Sequence, residues 1–156
     1  MGRARKWCNE HGFQVSFGWA KRTKKDGLSG GTAMIWKTHL NVIDVRESSL
    51  NERSASVTID FGRGAGLTKV SSIYGFVSNP TKTLNMLNNV FAEPTTAAAQ
   101  SVGGDFNIPR GLMEEWLANH HPQKMVAHGG HSCTGEVPMS TIDYFIIDRR
   151  LSTVLG

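Results

Sequence analysis

The sequence predicts an α/β fold that suits two packed sheets with helices on their outer faces, although periodicity alone does not separate this from other α/β layouts. Three observations predict it. Short apolar/polar alternations recur along the chain, segments of helical spacing fall between them, and Gly, Pro and Asn punctuate both. Many short strands with two or three interposed helices suit such a layered arrangement. The length of 156 residues suits one domain over 1–156. A chain of this size buries about two thirds of its unfolded surface and needs no staples.

Arg3 to His11 reads as a short helix stopped by Gly12. Phe13–Trp19 alternates as a strand, Lys21–Gly31 is a basic glycine-containing loop, and strands return at Thr32–Trp36 and Leu40–Arg46. In Ser54–Phe61, Ala55, Val57, Ile59 and Phe61 fall on one face, with Ser54, Ser56, Thr58 and Asp60 on the other. Gly62, Gly64 and Gly66 mark a turn before a strand at Val70–Val77. Asn79-Pro80 starts a helix, with a capping side chain followed by a residue suited to the first turn. Leu84, Leu87 and Phe91 share its face, and Glu93-Pro94 closes it. After a linker at Thr95–Gln100 come a strand at Ser101–Asp105, a helix near Gly111–Asn119 with Leu112 and Trp116 on one face, and a strand at Ile142–Ile147.

The formal charge of +4 favours phosphate-bearing partners. Cys8 and Cys133 are too few and too distant for a disulfide framework, which points to a reduced, intracellular setting, cytoplasmic or nuclear. No apolar run is long enough for a membrane span, and the basic start at Met1–Lys6 leads into no signal-peptide core.

The densest polar signal is Gly103-Gly104-Asp105-Phe106-Asn107. If the chain stays extended past Asp105, then Asp105 and Asn107 share one face at a strand end. A carboxylate can take a proton from water or bind a hard cation, and an amide can donate to a phosphate oxygen. The structural alternative is an Asx-type turn, which spacing alone favours. Asp143 opens an apolar strand and suits either a histidine partner or a solvated strand end. Tyr74 ends another strand, where a phosphate contact competes with a core role with a wet tip.

In order, Gly30-Gly31-Thr32-Ala33, Ser72-Ile73-Tyr74-Gly75, Gly104-Asp105-Phe106-Asn107 and Ile142-Asp143-Tyr144-Phe145 resemble the endonuclease/exonuclease/phosphatase superfamily. The resemblance covers about 28–150, and the Gly-Asp-Phe-Asn and Ile-Asp-Tyr-Phe segments carry most of it. Ser132-Cys133-Thr134 also resembles the stretch before the Asp-Tyr-Phe strand in retroelement-type members. The resemblance implies a four-layered α/β sandwich of two packed, mainly antiparallel sheets, and a metal-dependent phosphodiesterase or nuclease using Mg2+ or Mn2+. It gives Asp105 the attacking water, Asn107 the phosphate and metal side, Tyr74 a phosphate contact, and Asp143 a catalytic histidine.

Three family elements are missing: an early strand with its asparagine, a Gln-Glu segment, and a terminal Ser-Asp-His segment. The expectation is therefore an incomplete sandwich with little or no turnover. A nucleic-acid substrate leads, modestly favoured by the basic charge. Hydrolysis of a small phosphorylated lipid or inositol and non-catalytic phosphate or nucleic-acid binding are the rivals. His120, His121, His128, His131 and Cys133 match no common zinc spacing and read as surface residues. The clusters Arg3-Arg5-Lys6 and Lys21-Arg22-Lys24-Lys25 read as solvated charge before they read as a nucleic-acid track. Trp7, Trp19 and Trp36 suit core positions as readily as base stacking.

Overall fold

A computed structural model describes residues 2–22, 28–47, 53–62, 64–127 and 142–153. Helix α1 (Gly2–Glu10) ends where Gly12 takes φ +74°. Strand β1 (Phe13–Gly18) pairs antiparallel with β4 (Thr32–Lys37). Within the expected loop between them, β2 (Lys21–Arg22) pairs with β3 (Leu28–Ser29). Lys24 and Lys25 lie outside the described residues, as do His128, His131 and Ser132-Cys133-Thr134.

The main sheet has six strands: β5 (Asn41–Glu47), β6 (Ser54–Asp60), β7 (Leu67–Tyr74), β8 (Ala99–Asp105), β9 (Lys124–Ala127) and β10 (Asp143–Asp148), in the spatial order β5-β6-β7-β8-β10-β9. Among these described strands, β7 and β8 run parallel and the other neighbours run antiparallel. A parallel pair needs a long crossover, and α2 (Pro80–Ala92) supplies it. The Asn79 side chain caps α2 by accepting from the Lys82 amide at 3.1 Å.

One face of the sheet carries Ile73, Val102, Tyr144, Ile146 and Val126, which pack with Met86, Leu87 and Val90 of α2 and with Met113 and Leu117 of α3 (Arg110–His120). On the other face, Val57, Ile59 and Val70 meet Trp36 and Met34 of β4. Two sheets thus pack with helices outside them, as expected, although the described part of the smaller sheet has two strands. The helix α4 (Arg149–Ser152) follows β10.

Several expectations change. Strand β6 keeps the alternation read from its sequence but is buried on both faces: Ser54, Ser56 and Thr58 lie on the face of Ile73, Ser71 and Lys69, and Phe61 projects past the strand end, 47% exposed. Ser56 and Ser71 tolerate burial because their hydroxyls pair, Oγ to Oγ at 2.8 Å. In α3 the buried side is Met113 and Leu117, whereas Leu112 is 58% exposed. Sequence spacing defines two possible stripes there, and packing on the sheet selects one. Strand β9 and helix α4 carry too few residues for a periodicity to show. Trp36 is core, whereas Trp7 and Trp19 are exposed.

At the end of the sheet where β8 starts, buried Lys124 donates to Asp148 Oδ1 at 2.8 Å and to Gln100 Oε1 at 3.2 Å. Nearby, the His121 ring meets Asn88 Oδ1 at 2.7 Å and the Phe91 ring edge-on. Burial, then the charges of Lys124 and His120, hold the His121 imidazole below its usual value near 6.5. The unfolded chain therefore binds the proton more readily. The stabilisation from neutral His121 is complete above pH 6.5, declines as pH falls below it, and levels off under the folded pKa. Denaturant midpoints followed from pH 7 to pH 5 should fall, and His121→Gln should flatten part of that slope.

Candidate functional site

Register brings three of the four candidate residues together at the opposite end of the sheet. Asp105, the last residue of β8, pairs in register with Tyr74, the last of β7, and with Asp143, the first of β10. Residues opposite one another in register project to the same face. It is the face away from α2 and α3, because the next pairs along, Ile73 with Gly104 and Gly104 with Tyr144, belong to the helix-covered core.

Beyond Asp105 the chain does not stay extended. Asp105 Oδ1 accepts from the Asn107 amide at 2.9 Å, and Asn107 has φ +51°. This Asx turn is the alternative that spacing favoured, and it overturns the shared-face expectation for Asp105 and Asn107. It does not disperse the pair, since the turn ties both residues together at the sheet edge. The Asn107 side chain donates to Gly75 O at 3.4 Å, and the Gly75 amide donates to Asp105 O at 2.6 Å.

The support beneath this turn is rigid. Phe106 is fully buried and stacks on Tyr144 with ring centroids 4.3 Å apart. The Tyr144 hydroxyl donates to Ile108 O at 3.0 Å, closing the segment from below. Burial, followed by the charges of Asp105 and Glu114, raises the Tyr144 phenol far above its ordinary value, so it remains a donor. Tyr144→Phe should leave Ile108 O unpaired and cost about 1–2 kcal/mol in urea denaturation. At Gly103 the Phe145 ring lies across the backbone, and an added Cβ would fall 2.5 Å from its Cε1, so the ring would have to shift to admit a side chain.

Among the described residues, the Tyr74 hydroxyl and the Asp143 carboxylate have no hydrogen-bond partner, and Asp143 is exposed. Among the described residues no hydrogen bond joins a histidine to Asp143; His11, His120 and His121 bond instead to Trp7 O, Trp116 O and Asn88. No group of three or more His, Cys, Asp or Glu among the described residues could hold a metal. Sequence reasoning missed Arg53, whose side chain donates to Gly75 O at 2.9 Å. A lone arginine ahead of a strand carries no sequence signal for such a contact.

A cleft of about 360 Å3 lined in part by Phe91, Gln100, His121, Lys124 and Asp148 lies at the other end of the sheet. Lys124, Asp148, Gln100 and His121 are already bonded within it. The open carboxylates lie at the Asp105 end, and there we place the site.

Carboxylates and an amide at the end of a mainly antiparallel sheet, beside a second, smaller sheet, define an α/β-sandwich class that comparison with known proteins identifies. No family model matches the chain, and no curated protein does. Solved structures do. The human Nocturnin catalytic domain with bound sulfate is 13% identical with a TM-score of 0.59, the alignment covering 93% of this chain and 64% of that one. The endonuclease domain of TRAS1, a telomere-specific non-LTR retrotransposon, is 14% identical with a TM-score of 0.56, covering 86% and 64%. An endonuclease/exonuclease/phosphatase family protein from Leptotrichia buccalis is 12% identical with a TM-score of 0.55, covering 88% and 61%. The chain has the endonuclease/exonuclease/phosphatase fold and spans less than two thirds of the length of these structures.

Proposed function

We propose that the chain carries part of a metal-dependent phosphodiesterase site acting on nucleic acid. The observation that carries this reading is the in-register row Tyr74, Asp105 and Asp143, extended by the Asx turn to Asn107. Two carboxylates opposed across a strand pair repel one another. A hard cation relieves that repulsion, and the donors present are oxygens: the Asp105 and Asp143 carboxylates and the Asn107 amide carbonyl. Asp105 and Asn107 are the residues that would hold Mg2+ or Mn2+, which when bound would neutralise charge developing on the phosphate oxygens.

In the proposed hydrolysis the Asp105 carboxylate orients a water and takes its proton as the water oxygen attacks phosphorus; the ester P–O bond breaks, and the leaving oxygen keeps its electron pair and takes a proton from solvent. The Asn107 amide, which can leave its long bond to Gly75 O, and the Tyr74 hydroxyl donate to phosphate oxygens. The net charge of +4 and the fold shared with a retrotransposon endonuclease favour nucleic acid over a small phosphorylated lipid or inositol.

Turnover should be weak, since no third carboxylate, histidine or cysteine among the described residues joins Asp105 and Asp143 in a metal-holding group. The test is nicking of supercoiled plasmid by stoichiometric chain with Mg2+ or Mn2+, beside a chelator control. Slow nicking that the chelator abolishes is expected. Nicking indifferent to chelator would overturn the reading. So would salt-sensitive DNA binding without nicking, which would assign the chain to non-catalytic binding.

A further inference from the structure

We propose that Arg53 is the positioning residue of the candidate site: its guanidinium sets the Tyr74-Gly75 segment at the end of β7, against which Asp105 and Asn107 are mounted. The inference rests on the site reading above. Arg53 directly precedes β6, and its carbonyl accepts from the Tyr74 amide at 2.8 Å. Its side chain then returns to the same place. Nη1 donates to Gly75 O at 2.9 Å and, at longer range, to Tyr74 O at 3.4 Å. The guanidinium also lies 4.4 Å from the Phe76 ring centroid and 5.1 Å from that of Tyr74. One residue therefore grips the end of β7 with its backbone, its charge and its flat face.

Gly75 passes that grip to the chemistry. Its amide donates to Asp105 O at 2.6 Å, and its carbonyl, already held by Arg53, also accepts from Asn107 Nδ2. A Cβ at Gly75 would fall 2.1 Å from Phe106 O, so Gly75 rests directly on the Asp105–Asn107 segment with no side chain between them. A displacement of one backbone must move the other. Arginine suits the task because a planar fork can stack on the rings and donate to a carbonyl at once. A lysine ammonium is a point charge and cannot do both.

The test is amide hydrogen exchange on the full chain, comparing the parent with Arg53→Gln and Arg53→Lys, and with Leu87 and Ile146 as distant reporters. Arg53→Gln should speed exchange at the Gly75 and Asn107 amides by about tenfold or more while Leu87 and Ile146 keep their protection. Arg53→Lys should recover only part of the loss, and it carries the comparison alone if the glutamine variant does not fold. Unchanged exchange at Gly75 and Asn107 would overturn the proposal. An equal rise at all four positions would do the same, as would a lysine variant indistinguishable from the parent. These signals need neither metal nor substrate. If the parent fails to nick plasmid, the phosphodiesterase reading falls while the exchange data still decide the role of Arg53.

Discussion

Gly104→Val is expected to destabilise the chain more than Tyr144→Phe or Asp105→Ala. Gly104 sits in β8 with φ +148°, and a Cβ there would fall 2.0 Å from Ile73 O. That oxygen belongs to the neighbouring strand β7, which runs parallel to β8, so it cannot swing aside as a side-chain tip would. Backbone strain and overpacking together cost about 4 kcal/mol or more. Native domains have only about 5–15 kcal/mol in total. In a chain of this length the thermal midpoint should drop by about 10 °C or more. The companion substitution is Gly111→Ala in α3, where an added Cβ meets nothing within 4 Å. It should change stability by less than about 1 kcal/mol. A Gly104→Val chain as stable as the parent would mean that β7 and β8 do not approach as described.

Asp105→Asn should cut metal-dependent nicking by about 10²-fold or more without loosening the fold. Asparagine keeps a side-chain oxygen that can accept from the Asn107 amide, so the Asx turn survives the change. What it loses is the negative charge that takes a proton and attracts a cation. Asp105→Ala removes both and should lose the same activity along with about 1 kcal/mol of stability from the broken turn. Comparing the two separates chemistry from scaffolding. Equal nicking by parent and Asp105→Asn would sink the assignment of Asp105, whatever the fold.

The site was partly legible in the sequence. The Gly-Asp-Phe-Asn and Ile-Asp-Tyr-Phe segments located the ends of β8 and β10, because each joins a strand pattern to a polar residue that does not belong in a core. The geometry between Asp105 and Asn107 was less legible. Strand periodicity assumes extended backbone, and a local hydrogen bond from the Asn107 amide displaces it. Arg53 was not legible at all, since its contacts with Gly75 lie 22 positions away and follow from the pairing of β6 with β7.

By itself the sequence determined the strands and helices with strong local periodicity, the cap at Asn79, the helix stop at Gly12, and the α/β class that follows from their order. Those properties depend on neighbours a few residues apart. Tertiary structure alone decided that both faces of β6 are buried, that Met113 rather than Leu112 faces the core, and that Tyr74, Asp105 and Asp143 form one row. Each depends on which strand lies beside which and in what register. A one-residue slip in that register would turn Asp105 into the helix-packed core and Gly104 out of it, so the candidate site exists only through pairings that no local pattern encodes.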